Sequence, residues 1–368
     1  FTFVTPLKVL KKILFIAHHR MDRSPGQRYR FEQYFSFLQK NGVSCELANI
    51  ISEEDDKVLY TSGKYLKKAR IALRAIIKRY NQLKTINEFD LVVIYREAIL
   101  TGSIFFEKKL AKKGIPILFD FDDAIWVKDV SQGNKSLSFL KNANKIKEIL
   151  PLCNHVTAGN AYLKNFALQY NENVTIIPST IDTSKYLELE SRSKERITIG
   201  WVGSHTTIKH FETILPVLRE LKKKYKDKIE FKVIGDPDYF NSDLSIKGIA
   251  WNNSKEVEFF NMLDIGVMPL PEDEWTRGKC GMKGLLYMSV NKPAVMSSVG
   301  MNSEIIANGV NGFLADTPEE WFDVLSKLIE DENLRKTIGL AGRKTVEEKY
   351  SMNSQKEKYL DLYLSLMN

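Results

Sequence analysis

Short, mostly apolar runs recur along this chain, with stretches of helical spacing between them. The first run is Lys12–Ala17, and Gln27–Lys40 follows it with Phe31, Tyr34, Phe35 and Leu38 on one face. Ser44–Ala48, Leu91–Tyr95, Ile117–Phe121, His155–Thr157 and Thr175–Ile177 read as further strands, with helices between them and a long helical tract over Lys57–Lys84. Unbroken apolar runs belong to strands buried on both faces, so the pattern predicts a parallel sheet covered by helices.

The polar, aperiodic segment Glu188–Arg196 interrupts this alternation, which then restarts. Strands are expected at Ile197–Val202, Glu230–Ile234, Ser245–Ile249, Ile265–Met268 and Pro293–Met296. Helices are expected at Phe211–Lys224, Lys255–Met262, Lys283–Val290 and beyond Pro318. The expectation is an α/β chain of two Rossmann-like, doubly wound domains, residues 1–187 and 197–350, joined by a linker at 188–196. In the tail, 351–368, Tyr359, Leu360, Leu362, Tyr363 and Leu366 form an apolar stripe that must be covered, and docking back on the first domain covers it.

A length of 368 residues with 43% hydrophobic content suffices for two cores. No run approaches the roughly 20 apolar residues of a membrane span, and the opening residues do not read as a secretory leader. Cys45, Cys153 and Cys280 are odd in number and far apart, and the five histidines lack ligand spacing. Neither a disulfide framework nor a metal site is expected, and a cytoplasmic location fits. The net charge of +8 is uneven: the residues through Pro178 balance at +11 and the rest at −3. A basic first half points to an anionic partner.

Ligands of open parallel sheets bind beyond the carboxyl ends of the strands. After the first strand come Gly26, Gln27 and Arg28 at a helix start, with Arg23 and Arg30 nearby, a setting suited to an anion. The pattern is not Gly-x-Gly-x-x-Gly, so no nicotinamide cofactor is expected. The fourth strand ends in Asp120, Asp122 and Asp123, three carboxylates that repel one another if all are ionised. They fit either a site for a substrate hydroxyl or a cation, the reading favoured here, or a helix-capping cluster. In the second half Gly203 and Ser204 end a strand ahead of Lys209. The segment Asp273–Met288 follows another strand with Gly278, Gly281 and Gly284 among Arg277, Lys279 and Lys283. Glycines beside cations at a helix start suit a diphosphate. The tract 63–83 carries Leu66, Ala69, Leu73, Ile76, Ile77 and Tyr80 on one face and many cations elsewhere. It reads either as an interfacial helix for an anionic membrane or as a domain helix with a basic solvent face. It has no interleaved aromatic platforms for nucleic acid.

These residues resemble the GT-B glycosyltransferases of the family 4, glycosyl-transferases-group-1 type. The carrying motifs are GWVGSHTTIKHFETILPVL, DIGVMPLPEDEWTRGKCGMKGLLYM and PAVMSSVGMNSEIIANGVNGFLA, together with SPGQRYRFEQYFSFL, DLVVIYREA, ILFDFDDAIW and VTIIPSTID in the first half. The resemblance implies an interdomain cleft, a nucleotide-sugar donor held by the second domain and a glycan or lipid-linked acceptor held by the first. It also implies retention at the anomeric carbon, no metal and no cofactor. It matches Lys209 to a phosphate-binding lysine, Lys283 to a basic residue of a subgroup, Glu304 to the glutamate of the glycine-rich stretch, and Asp122 and Asp123 to the catalytic pocket. Ser204 stands where an arginine is usual, and Gly278 and Leu286 stand where two glutamates are usual. On these grounds Asp122 and Asp123 are expected to be catalytic. Gly203, Ser204, Lys209, Arg277, Lys279, Gly281, Lys283 and Glu304 are expected on the donor side, and Gly26, Gln27 and Arg28 on the acceptor side. A nucleotide-sugar epimerase and a non-catalytic sugar- or membrane-binding subunit are the competing readings.

Overall fold

The computed structural model describes residues 11–61, 63–127, 142–189 and 195–368. The chain divides into two compact units, residues 1–179 with 355–368, and residues 180–354. The first unit holds six parallel strands, β1 (Lys11–Ile16), β2 (Val43–Ala48), β3 (Leu91–Tyr95), β4 (Ile117–Phe121), β5 (His155–Ala158) and β6 (Val174–Ile176). Their order is β2-β1-β3-β4-β5-β6. Every residue of β3 and β4 is buried, the two-sided burial that their apolar composition predicts.

The second unit holds β7 (Ile197–Val202), β8 (Ile229–Ile234), β11 (Ile265–Met268), β12 (Ala294–Met296) and β13 (Phe313–Leu314) in the parallel order β13-β12-β11-β7-β8. The strand expected over Ser245–Ile249 is only Ile246–Lys247 (β10). It pairs antiparallel with Phe240–Asn241 (β9), outside the main sheet. The core beneath β7 gathers Trp201, Phe211, Leu218, Leu221, Val233, Val267 and Leu325.

The helix expected over Gln27–Lys40 is broken into Pro25–Arg30, a 3₁₀ turn at Glu32–Tyr34, and Phe35–Lys40. The backbone leaves the helical region at Phe31, φ −142°, and the Phe31 ring stacks on Phe15 of β1 with centroids 5.0 Å apart. Burial of an aromatic ring here outweighs one turn of helix.

The first unit ends at Ser179, whereas the sequence reading drew its boundary at 187. Residues 180–189 are tied to the second unit. Ile181 bridges to Ser351, Arg343 donates to the carbonyls of Thr183 and Tyr186, and Glu188 pairs with Lys292 at 3.0 Å. Of the expected linker 188–196, residues 190–194 lie outside the described residues. From Gln355 onward the helix Met352–Leu366 belongs to the first unit, where Tyr359 meets Tyr34 (4.5 Å) and Tyr363 meets Phe15 (6.0 Å).

Candidate functional sites at the strand switch points

Strand order reverses between β1 and β3 in the first unit and between β7 and β11 in the second. The crevice beyond the carboxyl ends of such a pair is where doubly wound sheets bind ligands. Each unit brings sequence-predicted residues together at that place.

In the first unit, Gly26 and Asp122 arrive from different loops. A Cβ built on Gly26 would lie 2.1 Å from the Tyr95 hydroxyl and 3.3 Å from Asp122 Oδ2, so any larger residue would displace Tyr95. The Tyr95 hydroxyl donates to Asp122 Oδ1 at 2.8 Å, and Arg96 Nε donates to the same oxygen at 2.8 Å. Arg96 also reaches Asp123 at 3.3 Å. Arg96 sits in the left-handed region, φ 63°, where a side chain of this size is strained. Burial pushes the Asp122 carboxyl up, but Arg96 first and Arg30 second outweigh it and hold it below the usual range. Asp122 is therefore an ionised acceptor at neutral pH.

Asp120 has a different role. The fully buried Arg30 grips it through two nitrogens, one at 3.0 Å, and Thr157 donates to it at 2.6 Å. The repulsion expected among the three carboxylates is thus removed by two arginines, and Asp120 is part of the internal framework. Gln27 is likewise spent on structure. It accepts from the His19 N–H and donates to the His19 carbonyl, both at 2.9 Å, and donates to Glu32 at 2.9 Å. Arg28 lies over the Tyr29 ring at 5.2 Å. Arg23 pairs with Asp56.

In the second unit, Gly281 caps the helix Met282–Ser289 with φ 67°, and a Cβ there would strike Ile305. Glycine is required, both by conformation and by space. Within the first turn, Lys283 turns its ammonium over the Trp201 ring at 4.4 Å. A Cβ on Gly203 would lie 2.9 Å from that nitrogen. Among the described residues the ammonium has no carboxylate or carbonyl partner. Burial, then Lys279, lowers its pKa from 10.5 to about 7. Lys279 lies 3.3 Å from the centre of the Trp275 ring, and Trp275 meets His210 edge-on at 5.9 Å. His210 is lowered to about 4 by burial and then by Lys283, Lys209 and Lys279 in that order, so it is neutral at physiological pH. Its Nδ1, like Trp201 Nε1, is buried with no hydrogen-bond partner among the described residues. The positive potential of Lys283, Lys209 and Lys279 is thus felt at one buried histidine.

Other expected donor residues stand at the margin. Ser204 is exposed and bonds Thr206 at 2.9 Å. Arg277 is half exposed and pairs with Glu272 at 2.5 Å. Glu304 is exposed on the short helix Asn302–Ile305. Gly284 serves packing: a Cβ there would meet the Met296 sulfur of β12 at 2.3 Å. A separate cavity of about 440 Å³ opens among Thr213, Leu270, Glu272, Ser298 and Asp316, and none of the predicted residues lines it.

Tyr95, Arg96, Trp201, His210 and Trp275 are additions from the structure. The Tyr-Arg pair at the carboxyl end of β3 is the signal that marks the first two. His210 and the tryptophans carry no spacing that distinguishes them from core residues.

Comparison with known proteins points to glycosyltransferases. Residues 196–331 match the family model described as glycosyl transferases group 1. An uncharacterized glycosyltransferase of Methanocaldococcus jannaschii is 24% identical over 305 residues, 76% of each chain. The capsular polysaccharide biosynthesis glycosyltransferase CapM of Staphylococcus aureus is 28% identical over 168 residues, 43% of each. The structure of Anabaena HepE in complex with UDP and glucose superposes with a TM-score of 0.63 at 15% identity, covering 96% of this chain and all of that one.

Proposed function

As a GT-B glycosyltransferase of the glycosyl transferases group 1 family, the chain, we propose, moves a sugar from a nucleoside-diphosphate sugar to a glycan or lipid-linked acceptor, with retention of configuration and without a metal, in the synthesis of a surface polysaccharide or glycoconjugate. The observation that carries this reading is Lys283: a lysine held over Trp201, with Lys279 near enough to lower its pKa and, among the described residues, no carboxylate to neutralise it. A diphosphate is the anion that such a cluster at a glycine-capped helix start accepts. The glycan chemistry in CapM's name and the UDP bound in the HepE structure support the substrate class.

Breaking a glycosidic bond to a diphosphate builds positive charge on the sugar and negative charge on the leaving group. Lys283, Lys209 and the N–H groups beyond Gly281 supply preformed positive potential to the departing diphosphate. Lys279 strengthens that field. Asp122, fixed by Tyr95 and Arg96 beside Gly26, accepts a hydrogen bond from the acceptor hydroxyl and orients it.

Calorimetric titration with a panel of nucleoside diphosphates, followed by turnover of the matching nucleotide-sugar, tests the proposal. It expects one diphosphate to bind and sugar release to require an acceptor. Isomerisation of the donor without an acceptor would identify an epimerase, and no binding to any diphosphate would identify a non-catalytic subunit. An unchanged rate in chelator and an axial anomeric product from an axial donor are expected. Loss of activity in chelator, or inversion, overturns those parts.

A further inference from the structure

The helix Tyr65–Thr85 is turned inside out. Its inward face is Lys68, Ile71, Ala75, Arg79 and Leu83. Arg79 is fully buried and donates to the carbonyls of Ala17, Ala48 and Ala98 at 2.7–2.8 Å, which ties together the chain beyond β1, β2 and β3. Lys68 donates to the Thr61 carbonyl at 2.5 Å. With these cations drawn inward, the apolar stripe faces out: Leu66 is 81% exposed, Leu73 58%, Ile77 50% and Tyr80 57%.

At 100° per residue, Ile76, Ala69, Tyr80, Leu73, Leu66 and Ile77 fill one continuous outward arc of about 100°. The adjoining outward arc carries Arg70, Arg74, Lys67 and Lys78. Among the described residues only Arg74 of these has a carboxylate partner, Asp55. The helix contains no acidic residue at all.

We propose that this helix is a docking surface for an anionic lipid bilayer, lying flat with Leu66, Leu73, Ile77 and Tyr80 among the acyl chains and Lys67, Arg70 and Lys78 at the headgroups. The charge pattern selects this occupant over a second copy of the chain. A two-fold contact through the same face would set these cations against themselves, with no acid on the helix to answer them. Among the described residues no helix is long and apolar enough to cross a membrane, and the proposed contact is with the bilayer surface only. It is independent of the sugar-transfer reading.

The test is cosedimentation of the full chain with vesicles of phosphatidylcholine alone and with about one third phosphatidylglycerol, at low and high salt. The chain is expected to pellet with the anionic vesicles at low salt. A Leu66→Ser/Leu73→Ser/Ile77→Ser variant is expected to partition at least ~10-fold more weakly. A Lys67→Glu/Arg70→Glu/Lys78→Glu variant is expected to lose the preference for anionic lipid. Both alter outward side chains, so their melting temperatures and nucleoside-diphosphate affinities should stay at the wild-type values, which keeps this test separate from that of the proposed function. Wild-type protein that remains in the supernatant with both vesicles overturns the proposal. So does a serine variant that binds as tightly as wild type, or a wild-type dimer that the serine variant abolishes while vesicle binding is absent.

Discussion

Replacing Lys283 by Met should make the protein more stable and less able to bind a diphosphate. The wild-type ammonium is held over Trp201 without an anion, and its pKa falls from 10.5 to about 7. Below pH 7 both folded and unfolded chains carry the proton, and the penalty for holding the charge is full. Between 7 and 10.5 the folded chain releases the proton while the unfolded chain keeps it, so the penalty shrinks as pH rises and vanishes above 10.5. At full weight the shift corresponds to about 5 kcal/mol. Lys283 is only partly buried, and water screening brings the expected gain to about 2 kcal/mol at pH 7. Methionine keeps the length, the helix propensity and the contact with the indole ring. Urea unfolding at pH 6.5, 8 and ~10 measures the difference: K283M should lead at the lowest pH and converge on wild type at the highest. Calorimetry at pH 7 should show nucleoside-diphosphate affinity reduced by ~10- to 100-fold, as expected for one charge-assisted contact. A variant less stable than wild type at pH 6.5, or one with undiminished affinity, refutes the assignment of Lys283 as a strained anion receptor.

Asp122→Asn should fold normally, since Tyr95 and Arg96 can still donate to the amide oxygen, yet sugar transfer should fall ~100-fold with donor affinity unchanged; steady-state kinetics and calorimetry together read this out. Gly26→Ala puts a methyl group 2.1 Å from the Tyr95 hydroxyl, so Tyr95 must move off Asp122; a loss of transfer of roughly 10-fold with a small fall in melting temperature is expected. Arg30→Ala leaves Asp120 buried without its partner and should cost about 3–5 kcal/mol in urea unfolding; a change below 1 kcal/mol would mean that Asp120 is not framework.

Much of the fold was legible because a strand buried on both faces is apolar at nearly every position. The runs LVVIY and ILF announce β3 and β4 in one dimension. The short strands β9 and β13 were not legible, since two residues carry no periodicity, and β10 was read at more than twice its length. The break at Phe31 was hidden for another reason: 3.6-residue spacing continues through it, and only the contact with Phe15 overrides the helix. The candidate sites were half legible. Glycines and cations at strand ends mark Gly26, Gly203, Gly281 and Lys283 directly. Roles within a cluster did not follow, because Asp120 and Asp122 differ by two positions and face different partners.

The sequence by itself determined the alternation of strands and helices, the two-unit organisation and the strand ends at which the candidate sites lie, because these depend on local periodicity and on residue types with special backbone freedom. Only the tertiary structure decided which charges are spent inside the protein. Arg30, Arg79, Lys68 and Gln27 look on paper like solvent-facing or ligand-facing groups, yet Arg30 and Arg79 are consumed by a carboxylate and carbonyls distant in sequence, and Lys68 and Gln27 by carbonyls of the preceding loops. The same pairing turns the apolar face of Tyr65–Thr85 outward, against the rule that such a face seeks the core. A buried charge must find a partner at any distance along the chain, and that search is settled only when the strands are in place.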